Sequence, residues 1–467
     1  MNAWPNFPAR IPQMLRAPSA TGKWRRTYSL GRRRWVGSAG GTAVVVVLAV
    51  VILLLVPSGR AAGAVGGGWT QSEVASGSAQ CDGIFHFLDV PGAENLDGSP
   101  TGIEYLCQTG SAHGPLLVYM DGAGACDSGD TCYCQPDASG SCTNPNATIT
   151  SGFFDKATSD DGRTWAQTYF GGANSTIGAG SGAAAFAGPT SPFNRHWNIV
   201  YIPATTGDGY LGDKVRELTT SSGHTFAAHF VGYRNVQLFL REIGTLFPDP
   251  IKVAAWGASG GGVGLTCSLW SFRATWPGAP MWMMDNAGPA YGTDDLMPLV
   301  PAVASLYGAW VRGPGGEVIP ETCPIIPTPG SGTYSLEWIV RFDALTFPDV
   351  IKAFTDDYSD YEADSAACLL FGAMPNAAGS CASAVTSTLV DEYNDVIRGA
   401  SNFKVFYHTG ICHIERESDN NSPATDGLPA SCDYDLMRQP PDDPHGIHFN
   451  QWVNAWISDS PAWVNVT

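Results

Sequence analysis

Ser259 stands in Gly257-Ala258-Ser259-Gly260-Gly261, which follows the apolar run Val253-Ala254-Ala255-Trp256 and leads into a stretch of small residues. Strand, serine-bearing turn and helix in that order spell a nucleophile elbow, a sharp turn that lifts a hydroxyl clear of a sheet. Glycines flank the serine because side chains there would clash in so tight a turn. The helix beyond it aims free N–H groups and the positive end of its dipole at the point where an oxyanion would form. The chemistry such a serine performs is acyl transfer. It needs a base to take the hydroxyl proton and an acid to fix the tautomer of that base. Glycine is abundant, 55 of 467 residues, so the pentapeptide alone is a weak signal and the strand before it carries the reading.

The partners must come from other elements. Leu116 to Met120 reads as a buried strand ending in Asp121-Gly122-Ala123-Gly124-Ala125-Cys126, and Trp197 to Pro203 as another ending in Thr205-Thr206-Gly207-Asp208-Gly209. Further apolar runs are Met281 to Met284, ending at Asp285, then Val350 to Phe354, ending in acids, then Phe403 to Tyr407, ending near His408 and His413. Val236 to Phe247 has helical spacing. Strands alternating with helices predict an α/β fold with a mostly parallel sheet and crossover helices, of the α/β-hydrolase-like kind. Ligands of such sheets sit at the carboxyl ends of the strands, where each of these candidates falls. The glycine-rich loop after Met120 is either a tight turn or a second source of oxyanion donors. In α/β-hydrolases the order is Ser, Asp or Glu, His. Of the histidines after Ser259, His445 and His448 lie in a polar Pro/Asp-rich tail and read as surface residues. His413 is preferred to His408 because Cys412 beside it could pin its loop through a disulfide.

Charge and cysteine content narrow the setting. Up to Arg60 there are nine basic and no acidic residues, and after it 16 basic against 43 acidic, a net charge of −27. So acidic a body is a poor partner for nucleic acid or any densely anionic polymer. All twelve cysteines lie after residue 80, an even set that predicts disulfides in an oxidising compartment. The rival is a zinc site at Cys126, Cys132, Cys134 and Cys142, whose spacing lacks the paired C-x2-C knuckles of structural zinc. Disulfides are preferred, and no metal or cofactor is expected.

Residues 1–40 are basic and aperiodic and read as disordered. Residues 41–57 form an apolar run long enough, with its uncharged flank, to span a bilayer. Arg32, Arg33 and Arg34 before it set the N-terminus in the cytoplasm. The rival is a long signal peptide cut near Ala62 or Ala64. Both readings put the body outside the cytoplasm, secreted or anchored by one helix. Residues 58–79 read as a Gly/Ala/Ser linker and 80–467 as one large domain. Asn146, Asn174, Asn420 and Asn465 begin glycosylation sequons.

Several stretches, taken in order, resemble the pectin acetylesterase/Notum family of serine ester hydrolases. They are Val118-Tyr119-Met120-Asp121-Gly122-Ala123-Gly124-Ala125-Cys126, the run from Pro192 to Pro203 followed by Thr206-Gly207-Asp208, and Gly232-Tyr233-Arg234-Asn235-Val236. Gly257-Ala258-Ser259-Gly260-Gly261, Asp285-Asn286-Ala287-Gly288-Pro289 and Cys412-His413 complete the series. The resemblance implies Ser259 as nucleophile, His413 as base, and N–H groups of Ala123, Gly124 and Gly260 as oxyanion donors. It implies Asp360 as the acid, with Asp285 or the pair Asp356 and Asp357 as alternatives, Asp285 being expected rather to brace the site. The chain departs from the family pattern at Thr205, where a cysteine is usual, and at Gly124, where some relatives carry an aromatic. The expected substrate is an acylated carbohydrate or an acylated protein. The alternative is a catalytically silent extracellular binding protein on the same fold.

Overall fold

The computed structural model describes residues 79–83, 85–108, 110, 112–122, 126, 128–133, 193, 196–288, 310–312, 318–320, 340, 343–357, 400–408, 447 and 449–465. The chain divides into two units, Met1–Gly68 and Trp69–Thr467, and every described residue belongs to the second. The segments read as disordered (1–40), membrane-spanning (41–57) and, except for Ala79, linker (58–79) lie outside the described residues. Among the described residues no helix is long and apolar enough to cross a membrane.

The elements in chain order are β1 (Phe85–Glu94), β2 (Pro100–Leu106), β3 (Leu116–Met120), α1 (Gly129–Cys132), β4 (Asn198–Ile202), β5 (Lys214–Thr219) and β6 (Thr225–Phe230). Then come α2 (Gly232–Leu246), β7 (Val253–Ala258), α3 (Gly260–Thr275), β8 (Met281–Asn286), β9 (Trp310–Arg312), β10 (Val318–Pro320), β11 (Val350–Asp357), β12 (Phe403–His408) and α4 (Phe449–Ile457). An eight-stranded sheet has the order β1-β2-β4-β3-β7-β8-β11-β12, and two small sheets pair β5 with β6 and β9 with β10. From β4 to β12 every neighbouring pair is parallel, whereas β1–β2 and β2–β4 are antiparallel. This is the mostly parallel sheet with helices that the sequence predicts, and it fits an α/β-hydrolase-like fold.

The central strands are parallel because they are covered on both sides. Every residue of β3, β7 and β8 is buried, and such strands read as continuous apolar runs rather than alternating ones. Alternate side chains still sort by face. Leu116, Val118, Val253, Ala255, Met281 and Met283 pack with Val236, Phe239, Leu240 and Ile243 of α2 and Leu265, Leu269 and Phe272 of α3. Leu117, Tyr119, Ala254, Trp256, Trp282 and Met284 pack on the other face with Trp452, Val453 and Trp456 of α4. The apolar positions of α2 recur at helical spacing and face the sheet. Helix α4 has the same pattern in Trp452, Val453, Trp456 and Ile457. It is an element that the polar character of the preceding tail hides.

Disulfides join Cys81 to Cys107 and Cys126 to Cys132, and Cys267 is disulfide-bonded too. Cys126 and Cys132 are therefore paired with each other rather than held as zinc thiolates. Among the described residues no group of three or more His, Cys, Asp or Glu could hold a metal ion. The disulfides suit an oxidising, extracytoplasmic compartment. Of the sequon asparagines only Asn465 is described, and its side-chain oxygen accepts the Val405 N–H at 3.1 Å on the outer edge of β12.

Candidate active site

Ser259 links the end of β7 to the start of α3 with φ 49° and ψ −122°. A non-glycine residue at positive φ is uncommon, and holding it there costs about 1–3 kcal/mol unless its surroundings enforce it. Here they do. The Ser259 N–H donates to the Asn286 carbonyl at 2.7 Å, and the Ser259 carbonyl accepts from Gly262 at 2.8 Å and Val263 at 3.3 Å. Both glycines that frame the serine are sterically required: a Cβ on Gly257 would strike the Gly261 carbonyl, and one on Gly261 would strike the Met120 carbonyl. The first turn of α3 thus lies directly on the end of β3, where the loop starting at Asp121 begins. As the first residue of α3, Gly260 has no intrahelical acceptor for its N–H. Gly124 and Ala123, the other expected donors, lie outside the described residues.

Asp285 is buried in β8 on the face covered by α3. Its Oδ1 accepts the Gly288 N–H at 2.9 Å and its Oδ2 accepts the Thr266 hydroxyl at 3.2 Å. A Cβ on Gly262 would strike that same Oδ1. Burial pushes the Asp285 carboxyl well above the usual carboxylate range, against the pull of the two hydrogen bonds. Ala287 follows with φ 54°, its N–H donating to the Thr355 carbonyl of β11 at 2.8 Å.

A second buried carboxylate, Asp208, lies in the loop after β4. Its Oδ1 accepts the Thr206 hydroxyl at 2.8 Å and the Tyr210 N–H at 3.0 Å, and its Oδ2 the Gly232 N–H at 2.8 Å. The Gly212 N–H bonds to it as well. Burial raises its pKa to about 6, the largest effect, and the four donors hold it down from going further. Thr206-Gly207-Asp208 is visible in the sequence as a motif, but nothing there assigns the carboxylate its partners.

A third feature, absent from the reading of the sequence, is the buried pair Asp343 and Lys352. Together with Asp285, Thr266, Met283, Phe354 and Phe403 they line a small cavity under α3. Lys352 donates from Nζ to the Phe347 carbonyl at 2.8 Å and the Val350 carbonyl at 3.0 Å. Desolvation lowers its pKa and raises that of Asp343, each opposed by the charge of the other. The available signal was a lysine inside the apolar run from Val350 to Phe354.

Asp356 and Asp357, read from sequence as lying beyond a strand that stops at Phe354, are the last residues of β11. In register they stand opposite Tyr407 and His408 of β12. Asp360 and His413, like His445 and His448, lie outside the described residues. The structure therefore brings together Ser259, Gly260, Asp121, Asp285 and the ends of β11 and β12 at one edge of the sheet. Trp276 and Trp282 are core residues, and Trp270 is half-buried.

No protein-family model matches the chain, and no curated protein matches it. Among solved structures, the Wnt deacylase Notum from Drosophila superposes over 82% of this chain and 95% of its own, with 13% identity and a TM-score of 0.47. A likeness so slight carries no function across.

Proposed function

We propose that the domain is a serine carboxylic-ester hydrolase, with Ser259 as nucleophile, His413 as general base and Asp360 as the acid that orients it. The observation carrying the reading is the conformation of Ser259: a strained, left-handed serine at the carboxyl end of a central parallel strand, capping a buried glycine-led helix. A serine with a structural role alone has no need of that backbone.

Chain length supports the partners. In the order β7-β8-β11-β12, β11 is two strands and β12 three strands from the elbow, about 10 Å and 14 Å at ~4.8 Å per strand. Asp360 follows Asp357 by three residues and His413 follows His408 by five, enough chain for about 11 Å and 18 Å. Both are long enough to reach the serine. His413 takes the proton from Ser259 as it attacks the ester carbonyl, and the N–H groups of Ala123, Gly124 and Gly260 hold the oxyanion. The alcohol leaves with a proton from His413, and water clears the acyl-enzyme. No cofactor enters these steps. The substrate class is an acylated carbohydrate or acylated protein.

Ser259→Ala is expected to abolish hydrolysis of p-nitrophenyl acetate by the purified domain, and retained activity would rule the assignment out. His413→Ala is expected to match it, with His408→Ala and His448→Ala active. Loss in His448→Ala alone would move the base to that residue.

A further inference from the structure

The loop 205–212 grips both ends of the loop 121–126. At the near end, the Tyr210 hydroxyl donates to the Asp121 carbonyl at 3.0 Å and also lies 3.1 Å from the Ile202 carbonyl. At the far end, the Cys126 N–H donates to the Gly207 carbonyl at 2.8 Å, and the Cys126–Cys132 disulfide closes the segment beyond it. Between those two anchors lie Ala123 and Gly124, the expected oxyanion donors.

The grip is itself braced. Tyr210 sits at φ 62°, a conformation that a bulky residue adopts only under constraint. The constraint is Asp208, whose Oδ1 takes the Tyr210 N–H and the Thr206 hydroxyl while Oδ2 takes the N–H of Gly232, the first residue of α2. The Tyr210 ring packs against Gly264 of α3 so closely that a Cβ there would lie 2.6 Å from the Tyr210 Cβ. One buried phenol therefore touches the elbow helix, the end of β3 and the end of β4.

We propose that Tyr210, held by the Asp208 carboxylate, is a positioning residue that fixes Asp121, where the loop 121–126 begins, against the first turn of α3. Its contribution to rate rests on the reading of Ser259 as nucleophile, whereas the mechanical grip does not. A donor misplaced by about 1 Å can cost ~10²-fold in turnover. Tyr210→Phe removes the two hydroxyl contacts and keeps the ring against Gly264.

The test pairs kinetics with local hydrogen exchange on the purified domain. In Tyr210→Phe, kcat for p-nitrophenyl acetate is expected to fall about 10- to 100-fold with KM within about twofold, the signature of an interaction made in the transition state. Amide exchange in peptides covering 121–126 is expected to quicken while peptides of β7 and β8 keep their protection. Unchanged exchange at 121–126 overturns the grip, and quickened exchange with unchanged kcat overturns the positioning role. Should Tyr210→Phe fail to fold, Thr206→Val, which loosens Asp208 by one hydrogen bond, carries the same two readouts. If the wild-type domain shows no Ser259-dependent hydrolysis, the esterase reading and the rate effect fall together, and exchange alone decides the grip.

Discussion

Two loops flank the elbow, and each is built on a buried carboxylate. In the loop 205–212, Asp208 is surrounded by four donors, three of them backbone N–H groups. At the end of β8, Asp285 has two among the described residues, one backbone and one hydroxyl. Both are removed from water, and burial raises Asp208 to about 6 and Asp285 well above the usual carboxylate range. Each donor aimed at a buried carboxylate favours its charged form. Asp208 is an anionic hub at neutral pH and organises backbone, whereas desolvation biases Asp285 towards its neutral form. A triad acid has to be charged to stabilise an imidazolium. The contrast therefore weighs against Asp285 and towards an acid beyond β11.

The largest expected effect is the pH dependence that Asp208 gives to stability. Its folded pKa, about 6, lies above its unfolded value near 3.8, so the folded state binds more protons between those values. Stability from this group is full below about 4 and falls as pH rises to about 6, by up to ~3 kcal/mol. Asp208→Asn is expected to remove that slope from urea midpoints measured between pH 4 and 7. An unchanged slope would break the contrast. Next come the two hydroxyl donors. Thr206→Val deprives an acceptor that is charged at pH 7 and is expected to cost about 2 kcal/mol, whereas Thr266→Val deprives one that burial biases towards its neutral form and is expected to cost about 1 kcal/mol. Equal losses would mean that the two carboxyls carry the same charge. Smallest is Asp285→Asn, whose amide oxygen can keep the Gly288 N–H. Below about pH 3.8, where the unfolded acid is protonated too, it is expected to shift stability by less than about 1 kcal/mol, and a larger loss would show that the folded carboxyl is ionised.

Much of the central sheet was legible because its strands are buried on both faces and so read as unbroken apolar runs. Leu116–Met120 was bounded from such a run, and Met281–Asn286 extends two residues past the run that predicted it. The elbow was legible through its glycines, whose positions are dictated by backbone contacts with Gly261 and Met120. Acids at strand ends were harder to bound, because a polar residue stops an apolar run before the hydrogen bonds stop. Asp356 and Asp357 stay in β11 for that reason. The hairpin of β5 and β6 went unread because β5 alternates partly buried with exposed residues, and β6 alternates buried residues with exposed or partly buried ones, so that neither forms an unbroken apolar run. Helix α4 was masked by the polar tail before it. It descends from the candidate-site edge: Trp452 packs on Phe406 near the end of β12 at 5.3 Å, and Trp456 donates to the Ile351 carbonyl near the start of β11 at 3.2 Å. Contacts such as Tyr210 to Asp121, 89 residues apart, have no local sequence signature at all.

An activated serine can be recognised directly by its chemistry. Treating the purified domain with a fluorophosphonate and sequencing the modified peptide by mass spectrometry should find a single adduct on Ser259, lost in His413→Ala. A domain that stays unlabelled while folded, or that carries the adduct on another residue, would contradict the account and leave a binding protein on an esterase-like sheet.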